Sequence, residues 1–159
     1  MDVKPEHDLT DATKACPILL RNHQGTTEIL AFEHPSAGYQ LVKGSIERGE
    51  SAKDAAVREL REESGIRDAE VISDLGSWNA PYQGQIWSFQ LCATRTTLPD
   101  EWTFETTDDG GHVFRLFWHP MHSSLPDPCH VLFREALREV RRRIPKEILD
   151  TLSTLPDGR

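Results

Sequence analysis

Three glutamates, Glu59, Glu62 and Glu63, crowd the end of the run Gly44–Ile66, GSIERGESAKDAAVRELREESGI. On a helix of about 100° per residue with Glu59 at zero, Glu63 falls at about +40° and Glu62 at about −60°. Ala52, Ala55 and Ala56 fall at about +20°, −40° and +60° on the same wheel. The acids therefore share a face with small apolar residues, whereas a solvated charged face lies opposite the apolar one. Like charges at these spacings repel, and Glu62 and Glu63 stand at the end of the helix dipole that disfavours anions. A divalent cation answers all three objections. Oxygen ligands without His or Cys point to Mg²⁺, with Mn²⁺ as its substitute.

The residues ahead of the helix complete a phosphate-binding pattern. Gly44 and Gly49 bracket a loop whose backbone can approach a ligand closely, and Lys43 offers a cation beside it. Arg58 is within reach of Glu50, which would fix the loop to the helix, and equally of Asp54 one turn back; spacing leaves both pairings open.

These side chains need a scaffold. Ala15–Arg21 and Thr27–Phe32 read as strands around the turn Asn22-His23-Gln24-Gly25, and Tyr39–Val42 is a short apolar run. Ser51–Ser64 reads as a helix, with Ser51 and Asp54 as a capping box and Gly65 as the left-handed stop. Ala69–Ile72, Gln85–Thr94 and His112–Trp118 read as further strands. Residues 95–111, rich in Thr, Asp and Gly, read as a long loop. Cys129–Arg143 reads as an amphipathic helix, its terminal arginines complementing the dipole. The expected organisation is a mobile arm at 1–13, one α/β domain over 14–145 and a tail at 146–159.

Composition narrows the function classes. The chain has 159 residues, 37% hydrophobic and 28% charged, which suits one packed domain. Net charge is −8, from 26 acidic and 18 basic residues, which argues against a general binder of nucleic-acid polymers or anionic membranes. No apolar run approaches a membrane span, and the polar, acidic first residues do not read as a secretory signal. A cytoplasmic protein is expected. Cys16, Cys92 and Cys129 are widely spaced, without a Cys-x-x-Cys pair, and read as reduced thiols.

The pattern Gly44, five residues, Glu50, seven residues, Arg58-Glu59-Leu60, one residue, Glu62-Glu63, one residue, Gly65-Ile66 resembles the Nudix box at every specified position. The resemblance implies an α/β/α sandwich around a mixed β-sheet. It implies that Glu59, Glu62 and Glu63 bind Mg²⁺ or assist the attacking water. Arg58 and Glu50 would organise the box, and the backbone near Lys43 or Gly44 would add a ligand. The implied reaction is hydrolysis of a nucleoside diphosphate linked to another moiety. Some members place the base outside the box, and Glu105 in the expected loop is the candidate. The stretch Lys43–Glu50, KGSIERGE, is similar to dinucleoside polyphosphate and nucleotide hydrolases of the family, although Val42 stands where those often carry Pro.

The expected partner is a small phosphorylated molecule, for a monomer or homodimer; a nucleotide-sensing domain without catalysis is the alternative. Trp78, Tyr82 and Trp102 are candidates to stack on a base, whereas Trp87 and Trp118, within strands, read as core. His119 and His122 flank Pro120 and make a poor metal pair.

Overall fold

A computed structural model describes residues 12–107 and 111–153. The first eleven residues of the expected arm and residues 154–159 of the expected tail lie outside the described residues. The elements run β1 (Lys14–His23), β2 (Thr26–His34), β3 (Gly38–Gln40), β4 (Gly44–Ser45), α1 (Ala52–Ser64), β5 (Glu70–Asn79), β6 (Ile86–Ala93), β7 (Glu101–Thr106), β8 (His112–Pro120), α2 (Val131–Arg143) and α3 (Lys146–Ser153).

Strand order is β5-β6-β1-β2-β8-β7, with β3 added to β2 and β4 to β1. The β1–β6 pair is parallel and the other pairs are antiparallel, so the sheet is mixed. The β1–β2 hairpin closes through Gln24 and Gly25, both at positive φ, the backbone a tight two-residue hairpin demands. Asn22 and His23, expected in the turn, belong to β1.

Alternation along the central strands feeds two cores. Cys16 and Ile18 of β1, Ile29 and Ala31 of β2, and Trp87, Phe89 and Leu91 of β6 meet Leu132, Phe133, Ala136, Leu137 and Val140 of α2. Leu19, Leu30, Phe32, Cys92, Phe114 and Leu116 face the other way, onto Leu60 of α1. The sheet thus lies between α1 and α2, the expected α/β/α arrangement. Among the described residues, no helix is long and apolar enough to cross a membrane.

Two expectations need correction. Part of the stretch 95–111 is a strand: β7 pairs with β8 from Glu101↔Phe117 to Thr106↔His112. Trp102 and Phe104 pack inward against the α1-side core while Glu101, Thr103 and Glu105 are exposed, the pattern of a strand covered on one face. The expected tail begins with α3, whose Ile148 and Leu149 pack against the α2-side core.

Candidate active site

Helix α1 is held at both ends as its sequence implies. The Ser51 hydroxyl accepts a hydrogen bond from the Asp54 amide at 3.0 Å, and Gly65 stops the helix at φ 81° while donating to the Arg61 carbonyl. Ala55 and Ala56 meet Ala15 of β1, and these small side chains let the helix approach the sheet closely. That approach carries Glu59 inward, to 6% exposure.

Gly44 makes room for the Glu59 carboxylate. A Cβ at Gly44 would lie 2.0 Å from the carboxyl carbon and 2.2 Å from both oxygens, so the position admits no side chain while Glu59 keeps this place. Glu63 turns toward the same loop, where the Lys43 amide donates to it at 3.4 Å.

Arg58 organises the cluster and settles its own pairing. Its Nε and Nη2 donate to the two oxygens of Glu50 at 2.7 and 2.8 Å, a bidentate pair, and Nη2 also donates to the Ser45 carbonyl at 2.8 Å. Its Nη1 donates to Glu59 and to Glu62, each at 2.7 Å. One guanidinium thereby ties the loop to the helix and supplies positive charge to three carboxylates. The hydrogen bond from Arg58 holds the Glu50 carboxyl below its ordinary pKa, and Glu50, then Glu62 and Glu59, raise that of Arg58.

The carboxylates open into a cleft of about 670 Å³ that Lys14, His34, Gln40, Lys43, Gly44, Glu47, Arg58, Glu59, Glu62, Glu63 and Phe114 help to line. The Lys43 ammonium lies 5.5 Å from the Trp87 ring centre and 5.8 Å from that of Phe133. Burial foremost, then the charge of Lys14, lowers its pKa, while Glu63, Cys16 and Glu59 pull it back up. Two other cavities, of about 300 and 500 Å³, are mostly apolar and hold none of these acids.

A resident divalent ion can be tested against these residues. The donor set is carboxylate oxygen, and the missing Cβ at Gly44 leaves the buried Glu59 carboxylate accessible from the loop. Both suit a hard cation. Among the described residues, however, no three His, Cys, Asp or Glu side chains converge on one metal position. Glu59 and Glu62 are drawn together by Arg58 instead.

Of the expected site residues, Lys43, Gly44, Arg58, Glu59, Glu62 and Glu63 border the cleft, and Glu50 anchors Arg58 beneath it. Glu105 does not join them. It sits opposite Val113 in the β7–β8 pair, exposed, on the face away from Trp102 and Phe104 and so away from α1. Strand alternation sends it to the wrong side of the sheet.

The stacking candidates are engaged elsewhere. Trp78 packs on Trp87 and Phe89, Tyr82 meets His130 edge-on, and the Trp102 indole N–H donates to the Ser64 carbonyl at 2.9 Å. Trp87 and Trp118 are core, as expected. His119 is buried and donates through Nε2 to the Ser123 carbonyl at 2.7 Å, a structural role. Arg141, one of the arginines expected to complement the dipole, donates to the carbonyls of Met121 and Ser123. Cys16 and Cys92 are buried free thiols, and burial pushes Cys92 up to about 12. Sequence reasoning missed His34, Phe114, Gln40 and Lys14. Lys14, His34 and Phe114 reach the cleft through pairing of strands remote in sequence, and Gln40 through the short β2–β3 pairing with Phe32.

A family model described as NUDIX domain matches residues 12–144. The chain belongs to the Nudix family. An RNA pyrophosphohydrolase of Campylobacter jejuni subsp. doylei is 37% identical over 65 residues, 33% of this chain and 42% of that protein. The chain thus spans under half the length of the curated relatives it matches. Among solved Nudix structures, a mutT/nudix family protein from Listeria innocua aligns with a TM-score of 0.58 at 20% identity, covering 87% of this chain and 97% of that one. A C. elegans Ap4A hydrolase in a binary complex aligns at 0.53 with 20% identity, covering 81% and 96%. At such identities these likenesses speak for the fold.

Proposed function

We propose that this chain is a Mg²⁺-dependent pyrophosphohydrolase, with Mn²⁺ able to substitute, that cleaves the diphosphate linkage of a nucleoside diphosphate–X compound such as a dinucleoside polyphosphate. The observation that carries the reading is the buried Glu59 carboxylate seated against Gly44, beside Glu62 and Glu63 in one polar cleft. Burying a carboxylate is costly, and on a helix whose packing is carried by Ala55, Ala56 and Leu60 it serves no packing purpose.

Glu59, Glu62 and Glu63 would hold the ion, which requires their carboxylates to regroup around it, since without it they do not converge on one position. When bound, it would neutralise charge on the phosphoryl oxygens and lower the pKa of the attacking water. The chain's own groups do the rest. Lys14 and Lys43 offer ammonium groups to the diphosphate oxygens. Arg58 fixes Glu59 and Glu62 in place through Nη1, and Glu50 holds Arg58. A carboxylate of the trio accepts the proton of the attacking water. The excess of acidic residues favours a small anion carried in with its cation over a polymer of phosphates. The names of the RNA pyrophosphohydrolase and Ap4A hydrolase relatives agree with diphosphate chemistry and leave the moiety X open.

The test is a panel of dinucleoside polyphosphates, nucleoside diphosphate sugars, nucleoside triphosphates and a 5′-triphosphate oligonucleotide, each with MgCl₂ and product analysis in ¹⁸O water. Turnover of at least one small diphosphate, lost in Glu63→Gln by a factor of about 10² or more, is the expected result. Turnover of the oligonucleotide alone would reassign the substrate. No turnover, with nucleotide bound and recovered intact, would favour a sensing domain.

A further inference from the structure

Alternation along the short strand β3 sends Tyr39 and Gln40 to opposite faces of the sheet. Tyr39 pairs with Glu33 and meets Phe117 edge-on, against the α2-side core. Gln40 pairs with Phe32, and residues directly opposite in an antiparallel pair share a face. Phe32 belongs to the α1-side core, so Gln40 stands on that side. Val42, next on the same face, is buried there. Gln40 is only half-buried and lines the acidic cleft. Lys14 donates to the Ser45 hydroxyl at 2.8 Å, and Arg58 and Glu59 hold each other. The Gln40 carboxamide, by contrast, has no hydrogen-bond partner among the described residues, so its donor and its acceptor are both open to whatever enters.

An apolar side chain opposite Phe32 would pack without the cost of desolvating an amide. The amide is also the wrong group for phosphate alone. Phosphoryl oxygens only accept, Lys14 and Lys43 already offer them cations, and the carboxamide oxygen would repel them. A carboxamide is matched by a group that presents a donor beside an acceptor, with which it makes two hydrogen bonds. In a nucleoside diphosphate that chemistry belongs to the polar edge of the base and to the ribose hydroxyls. We propose that Gln40 is a specificity-determining residue whose carboxamide reads the nucleoside of the substrate through one of those groups. This rests on the pyrophosphohydrolase reading and adds to it the part of the substrate that the cleft discriminates. Gln40 lies upstream of Gly44, against which Glu59 is seated, so nucleoside recognition and attack on the diphosphate use different stretches of one wall.

Gln40→Met keeps the length of the side chain and removes both hydrogen-bonding groups. Wild type and variant are compared on the best wild-type substrate with its base exchanged among adenine, guanine, cytosine and uracil, and on its 2′-deoxy form. The wild type is expected to discriminate by about 10-fold or more in kcat/KM in one of these series. Gln40→Met is expected to compress that ratio to within about threefold by losing rate on the preferred substrate, while melting no earlier. The series that moves identifies the base or the ribose as the group read. If the two proteins discriminate alike, or the wild type discriminates in neither series, Gln40 reads nothing and the proposal fails. Should the wild type cleave nothing, the functional reading fails separately. Gln40 is then judged by its side-chain amide resonances, assigned by their loss in Gln40→Met, with the four nucleoside monophosphates and with methylenediphosphonate, each in MgCl₂. A shift with a nucleotide and none with methylenediphosphonate supports the contact; no shift, or an equal shift with both, overturns it.

Discussion

Helices α1 and α2 each have 13 residues and cover opposite faces of one sheet, yet they are built to different ends. Helix α2 buries Leu132, Phe133, Ala136, Leu137 and Val140, and its last turn carries Arg141, Arg142 and Arg143, the sign the dipole favours. Helix α1 buries two alanines, one leucine, one serine and a glutamate, and Glu62 and Glu63 carry the disfavoured sign near its C-terminus. The first layer is optimised for packing. The second gives up apolar burial to hold carboxylates beside a cleft, and it remains ordered because Ser51, Gly65, β7 and the Glu50 partner of Arg58 supply from outside what its own face does not.

The comparison breaks most sharply at single side chains. Removing Arg58 as Arg58→Ala would leave the buried Glu59 without its cation and detach Glu50, costing about 3 kcal/mol by urea unfolding. Leu137→Ala on α2 should cost a similar amount through the cavity it leaves. The two differ in the folded fraction: Arg58→Ala also loses turnover, while Leu137→Ala retains it per folded molecule. Equal activity in both variants would mean that α1 is a packing helix like its counterpart.

A more selective probe is Gly44→Ala. Its Cβ would strike the far end of the Glu59 side chain, not rigid backbone, so the side chain can swing away. Stability should change by about 1 kcal/mol or less. Turnover should fall about 100-fold because the displaced carboxylate is the one the site is built around. Unfolding curves and initial rates on the same sample read both; a variant with normal rates would show that Glu59 need not sit against Gly44.

How much of this contrast is legible in the sequence follows from how local each interaction is. Helix α1, its Ser51 cap and its Gly65 stop are encoded within a few residues, and the wheel that put Glu59 among alanines agrees with its burial. The choice between Glu50 and Asp54 for Arg58 was not decidable from spacing, because it depends on the path of residues 44–50. Strand β7 was hidden by its Thr, Asp and Gly-rich surroundings, although Trp102 and Phe104 alternate with polar residues. It matters to the site: Trp102 caps the Ser64 carbonyl and Phe104 abuts Gly65, so a strand read as loop clamps the end of the carboxylate helix. The same alternation removes Glu105 from the cleft, and the pairing that brings His34 beside His112 and Phe114 joins residues nearly eighty apart in the chain.

The smallest expected effect concerns acid stability, and it too divides the two layers. Glu50 has its carboxyl pKa lowered in the folded protein, chiefly by the hydrogen bond from Arg58. A depressed folded value means that the unfolded chain binds the proton more readily, so the contribution is full above the ordinary value near 4.5 and is lost as pH falls below it through the folded pKa. The buried face of α2 carries no carboxylate and adds nothing to that slope. Glu50→Gln keeps an oxygen for Arg58 but cannot titrate. It is therefore expected to be less stable than the wild type at pH 7, with the gap closing as pH falls below about 4.5 and through the depressed folded value. Urea midpoints measured across that range decide the matter. A constant gap would mean that Arg58 does not distinguish charged from neutral Glu50, and that the loop is held to α1 by shape instead of charge.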